Sequence, residues 1–119
     1  MATIENTRTQ GMGRTHRFVW VAMAAGDDGA QATIPGAADR VVQVIGTLDG
    51  AQVIIEGSCE RTPSANGWAQ LTDLQGNSIA FTSPGIEYAT ENTTHIRPRI
   101  VGGGVSTDVT VILLARRTT

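Results

Sequence analysis

The sequence predicts an all-β fold: an antiparallel two-sheet β-sandwich, jelly-roll-like, with a flexible N-terminal arm. Three observations carry this. Threonine, valine and isoleucine are abundant, and no segment sustains an apolar stripe at helical spacing. Turn signals built on glycine, proline, asparagine or aspartate recur about every ten residues. Between them lie about eight or nine short β-branched runs, the pattern of a sandwich, with a small barrel as the alternative.

The first fourteen residues are polar, carry Gly-Met-Gly at 11–13 and hold little to bury, so residues 1–15 are expected to form an arm that stays loose unless something binds it. The folded domain is expected to span 16–119. Its first strand, HRFVWVAMA (16–24), alternates Phe18, Trp20 and Ala22 with Val19, Val21 and Met23. Both of its faces are apolar, which predicts a strand that is central or covered on both sides. GDDG (26–29) reads as a turn, QATIP (31–35) as a short edge strand and GAADR (36–40) as a bend.

RVVQVIGTL (40–48) and AQVIIEGS (51–58) flank Asp49-Gly50. That pair predicts a hairpin, because a type I′ turn needs positive φ at both central residues. WAQLTD (68–73), SIAFT (78–82) and IEYATE (86–91) follow with meander-like spacing. THIRPRIVGG (94–103) and STDVTVILLARR (106–117) close the chain, the latter setting Val109, Val111 and Leu113 against Thr110, Ile112 and Leu114.

At 119 residues the chain fits one domain. Its formal net charge of −2 lacks the basic excess behind non-specific nucleic-acid binding, so no direct nucleic-acid partner is expected. No apolar run approaches the roughly 20 residues of a membrane helix, and the opening residues lack a secretory apolar core, so neither membrane insertion nor export is expected. One cysteine cannot close an internal disulfide, and two distant histidines offer no metal-ligand spacing. All nine basic residues are arginine, a side chain suited to interface ion pairs.

Catalytic chemistry finds little support. EGSCERTPSANGWAQL (56–71) holds Cys59 without a nucleophile motif, and the residue reads as a strand-end filler beside a surface connection. Asp27, Asp28 and Asp49 sit in glycine-flanked turns, where aspartate commonly bonds backbone amides. Glu56, Glu87 and Glu91 read as solvent-facing, although paired-carboxylate chemistry is compatible with their spacing. GMG and GGG (102–104) lack the lysine of a phosphate loop. Trp20 and Trp68 read first as packing residues.

HIRPR (95–99) is more suggestive. Alternation puts His95, Arg97 and Arg99 on one side as a basic ribbon, and Pro98, which cannot donate to a ladder, predicts an edge or an interruption. Such a ribbon either protects an edge or docks on an acidic partner.

Across residues 20 to 115 the succession W…GDDG…TIPGAADRVVQVIGTLDGAQVIIEGS…WAQLTDLQGNSIAF…GIEYATENTTHIRPRIVGGG…VTVILLAR resembles the small structural proteins encoded near the head genes of tailed double-stranded-DNA phages, in particular capsid decoration, or cement, proteins. The resemblance implies a non-enzymatic, cofactor-free virion protein made in the host cytoplasm. It would sit on the outer capsid surface and bridge major capsid protein subunits, as a homodimer or, next, a trimer. The candidate capsid or subunit contacts are Arg8 and Arg14 of the arm with His95, Arg97 and Arg99. The shorter succession VIIEGS…W..L.D..G is also similar to galactose-binding-like sandwiches, so a carbohydrate-binding module is the rival function and a small hydrolase the third.

Overall fold

Two sheets pack face to face. The computed structural model describes residues 2–10, 15–34 and 37–117. Their strands are β1 (Thr3–Ile4), β2 (Asn6–Gln10), β3 (Thr15–Met23), β4 (Asp28–Gly29), β5 (Ala32–Thr33), β6 (Asp39–Thr47), β7 (Ala51–Ser58), β8 (Ala69–Gln70), β9 (Ala80–Phe81), β10 (Gly85–Tyr88), β11 (His95–Gly102) and β12 (Asp108–Arg116). The seven-stranded sheet runs β1-β4-β11-β7-β8, with β5 also on β11 and β9 on β7; the five-stranded sheet runs β10-β6-β12-β3-β2. Pairing is antiparallel except between β1 and β4. The expected two-sheet all-β architecture is thus the observed one.

The core lies between the sheets. Phe18, Trp20 and Met23, Val42 and Val44, and Val109, Val111 and Leu113 pack from the five-stranded sheet against Val53, Ile55, Ile96 and Ile100 of the other. Each such side chain, fully buried, contributes about 1.5–3 kcal/mol of transfer free energy. Trp20 satisfies its indole N–H on the Ala30 carbonyl at 2.9 Å. Gly29 makes the sheets' close approach possible there, since a Cβ on it would lie 2.6 Å from Pro98 Cδ and 2.8 Å from Trp20 Nε1.

Five expectations change. Strict alternation in β3 fails at a bulge: Val109 pairs with Met23 and Val111 with Trp20, so Val21 and Ala22 both stand opposite Thr110. Ala22 takes φ +57° and Met23 turns inward to join Phe18 and Trp20.

Asp49-Gly50 does form a turn with positive φ at both residues, 50° and 78°. The strands it joins, however, do not pair with each other. β6 belongs to one sheet and β7 to the other, so the turn is an arch across the sandwich, closed by Ala51 N–H to the Leu48 carbonyl at 2.9 Å. Leu48 and Ala51 are buried on either side of it. The same alternation of sheets replaces the expected meander, because β8 and β9 both pair with β7 whereas β10 pairs with β6.

Over residues 2–10, where the structure describes it, the expected loose arm is instead part of both sheets. Thr3–Ile4 pair with β4, and Asn6–Gln10 pair with β3. Its polar side chains find polar partners: Asn6 Nδ2 donates to the Ala30 carbonyl at 3.2 Å, and Thr3 Oγ1 donates to Asp28 at 2.8 Å. Backbone pairing orders the segment, with Ile4 as its one apolar side chain packed against the core.

Finally, β11 is interior to its sheet, between β7 and the β4–β5 segment. Pro98 coincides with an interruption on one side only. Ile100 N–H donates to the Asp27 carbonyl and Ile34 N–H to the Thr94 carbonyl, so even-numbered residues face that side, and the Pro98 nitrogen meets the gap between β4 and β5.

Candidate functional site: the outer faces of the two sheets

The odd-numbered residues of β11 point away from the core beside the even-numbered residues of β7, so Arg97 stands directly across from Glu56. Arg97 Nε bonds Glu56 Oε1 at 3.0 Å, and Arg99 Nε lies 3.3 Å from Oε2 of the same carboxylate. Arg97 also reaches Asp28 at 3.6 Å and stacks its guanidinium 4.2 Å from the Trp68 ring centroid. Two cations thus meet two carboxylates. The basic ribbon is neutralised within the chain, and Glu56, read as solvent-facing from sequence, is buried at its centre.

His95 continues the row but is buried. Its ring lies within hydrogen-bonding distance of Thr33 Oγ1 (3.0 Å), Gln31 Nε2 (3.3 Å) and the Arg61 carbonyl (3.1 Å), which ties the 59–67 connection to β5 and β11. Arg8 sits apart, on edge strand β2, where its guanidinium covers the Phe18 ring at 5.5 Å and reaches His16 Nδ1 at 3.1 Å. An inward-facing charge of this kind protects an edge from stray pairing. Arg14 lies outside the described residues. The candidate contacts therefore do not form one patch.

Arg40 carried no sequence signal beyond its place at a strand start. It is buried and donates to the Ala37, Glu91 and Thr93 carbonyls and to Thr93 Oγ1, clamping 91–93 onto β6. Among the described residues no carboxylate pairs with it. Burial pulls its guanidinium below the usual arginine range, with Cys59 and Tyr88 acting in the other direction. Arg40 lines a cleft of about 290 Å³ with Ile34, Ala38 and Asn92, but its donors are spent on the protein's own carbonyls.

The turn carboxylates serve the backbone. Asp27 accepts from the Ala2 and Ala24 amides, Asp49 from Ser106, and Asp73 from Gln75 and Asn77. Glu60 accepts the Ser64 amide and hydroxyl, and these bonds lower its pKa and shape the exposed connection after Cys59. Among the described residues no group of three or more His, Cys, Asp or Glu side chains could hold a metal ion, and no helix is long and apolar enough to cross a membrane.

The outer face of the five-stranded sheet is of another kind. Antiparallel sheets that face water usually alternate apolar-in with polar-out. Here the outward positions include Val19 and Val21 of β3, Ile112 and Leu114 of β12, Val41 and Ile45 of β6, and Ile86 of β10. Val21 and Ile86 are 58% and 59% exposed. Arg17, Val41, Gln43, Ile86, Ile112 and Leu114 line a shallow depression of about 290 Å³ on it. The two apolar faces of β3 were legible in sequence as a strand that is central or covered on both sides. The fold covers one.

The chain is similar in structure to the SPBc2 prophage-derived protein YomS, with a TM-score of 0.58 and 12% identity over 90% of this chain and 98% of that one. It is also similar to a cupin domain (bp2299) from Bordetella pertussis Tohama I, with a TM-score of 0.51 and 12% identity over 95% and 92% of the two chains. No protein-family model and no curated protein sequence matches. At this identity the likeness shows the fold alone, a two-sheet, jelly-roll-like β-sandwich.

Proposed function

We propose that this protein is a structural component of a phage particle that binds the outer capsid surface and stabilises the shell by bridging major capsid protein subunits. The observation that carries the reading is the broad apolar outer face of the five-stranded sheet, a surface whose burial against protein is favourable and whose exposure to water is not. Resemblance of the strand and turn succession to phage cement proteins supports it, and the similar fold of a prophage-derived protein agrees with a phage origin.

The work requires no turnover and no cofactor. A partner that binds only the assembled shell stabilises it by mass action, and repetition by symmetry multiplies modest contacts. The protein acts as a homo-oligomer, a homodimer in the first place, made in the host cytoplasm and ending on the virion surface. Arg99, 43% exposed at its side chain, and Arg8, exposed on its edge strand, are the charges available to acidic groups of the capsid. A carbohydrate-binding module is the rival. Against it, Trp20 is buried and Trp68 has one ring face occupied by Arg97.

Co-sedimentation with expanded shells assembled without this protein tests the reading. Saturable binding, with no quenching of Trp68 fluorescence by simple sugars, is expected. Protein that stays in the supernatant at every concentration, or whose tryptophan emission responds to a sugar, overturns it.

A further inference from the structure

We infer that the outer face of the five-stranded sheet is the docking surface for a second copy of this chain, with Gln43 beside the two-fold axis. This deepens the proposed function by assigning the self-contact, and it rests on that reading only for the use made of the dimer.

Size comes first. Five strands about 4.8 Å apart and up to nine residues long at about 3.3 Å per residue span roughly 24 by 30 Å. The short flanking strands β2 and β10 trim this, leaving roughly 600 Å², and side-chain relief raises the figure into the range of about 600–1,000 Å² per partner of specific interfaces. The face is thus large enough for a stable dimer without help from the loops.

Chemistry then selects the occupant. Asp39 and Arg116 point outward at one end of the face and neutralise each other at 2.7 Å. Arg17, whose long stem lets its head reach the rim, and Asp108, exposed at the opposite end of β12 from Arg116, are the remaining charges among the described outward residues, and both leave the middle of the face uncharged. In the middle stands Gln43, directly across from Ile112 on one neighbouring strand and Ile86 on the other. No hydrogen-bond partner engages its side-chain amide among the described residues. Covering this face with a purely apolar surface would strand that amide. A second Gln43 resolves the conflict, because an amide is both donor and acceptor and two of them across a two-fold axis bond reciprocally.

An axis lying in the plane of the face also points one edge, or one end, of both copies in the same direction, whichever lies along the axis. A dimer built this way presents two equivalent contact surfaces to one shell, which is what bridging requires.

Sedimentation equilibrium of the full chain, without shells, tests the assignment. The wild type is expected to be dimeric at about 10 µM, and Ile112→Glu and Ile86→Lys each to weaken the dimer at least about 100-fold while keeping the wild-type circular dichroism spectrum. Ile86 is already exposed, so its substitution leaves the fold intact even if Ile112→Glu does not. In a Cys59→Ser background, Gln43→Cys should form an intermolecular disulfide under mild oxidation. A wild type that remains monomeric at about 100 µM, a trimer, or a dimer unaffected by Ile86→Lys overturns the inference. Shell binding by a monomeric wild type would leave the cement reading standing and assign this face to the capsid instead.

Discussion

Arg97 holds Glu56 at 3.0 Å through Nε and sits over Trp68, 4.2 Å from the ring centroid, so one guanidinium joins a buried carboxylate to the residue that leads into β8 after the 59–67 connection. Glu56 in turn lies between two arginines. Glu56→Gln removes the charge but keeps the shape, leaving Arg97 and Arg99 as neighbouring cations over a half-buried floor. Destabilisation of about 1–3 kcal/mol is expected, below the value for a fully buried pair because Arg99 is largely solvated. Urea unfolding of wild type and variant, followed by tryptophan emission and circular dichroism with coincident transitions, measures it.

Arg40 predicts a different sensitivity. Its planar fork reaches three carbonyls and a hydroxyl at once, a geometry that a lysine ammonium cannot reproduce. Arg40→Lys should therefore cost at least about 2 kcal/mol despite retaining the charge. Hydrogen exchange should show loosening concentrated at residues 91–94. Uniform exchange across the domain with unchanged stability would mean the clamp is idle.

Glu91 supplies a pH dependence. Burial disfavours its charged form, but bonds from the Thr72 hydroxyl and amide and from Thr90 outweigh this, and its pKa lies below the usual carboxylate value. A carboxylate lowered in the folded state adds stability that is fully present above its unfolded pKa of about 4.3 and is lost as pH falls through the folded value. Between neutral pH and pH about 3, the thermal midpoint of Glu91→Gln should fall less steeply than that of the wild type. Parallel curves would show that Glu91 contributes nothing to acid unfolding.

Strand positions were legible because they depend on local pattern. β7 occupies the 51–58 run that alternation and flanking turns predict, and Asp49-Gly50 adopts the φ values its residue types favour. Pairing was not, because it depends on partners distant in sequence. Nothing near Asp49 says that β6 will pair with β12 and β7 with β11 instead of with each other. The same limit hid Glu56, whose burial is set by arginines 41 and 43 residues further along, and Arg40, whose acceptors come from residues 91–93 as well as nearby Ala37. The N-terminal strands were missed because main-chain pairing with β3 and β4 orders them, with the single apolar anchor Ile4 too little to stand out in a polar stretch. The unpartnered apolar face was half legible: Val19 and Val21 opposite Phe18 and Trp20 announced two apolar sides in β3, but only the fold shows which one lacks cover.

The central claim is that this sandwich is a shell-bridging protein. Cryo-electron microscopy of expanded shells, assembled without the protein and then incubated with it, tests that claim most directly. The expected result is added density on the outer surface in which a pair of sandwiches spans two neighbouring major capsid subunits. Shells that remain bare at saturating protein, while still accepting a known cement protein of their own, would contradict it.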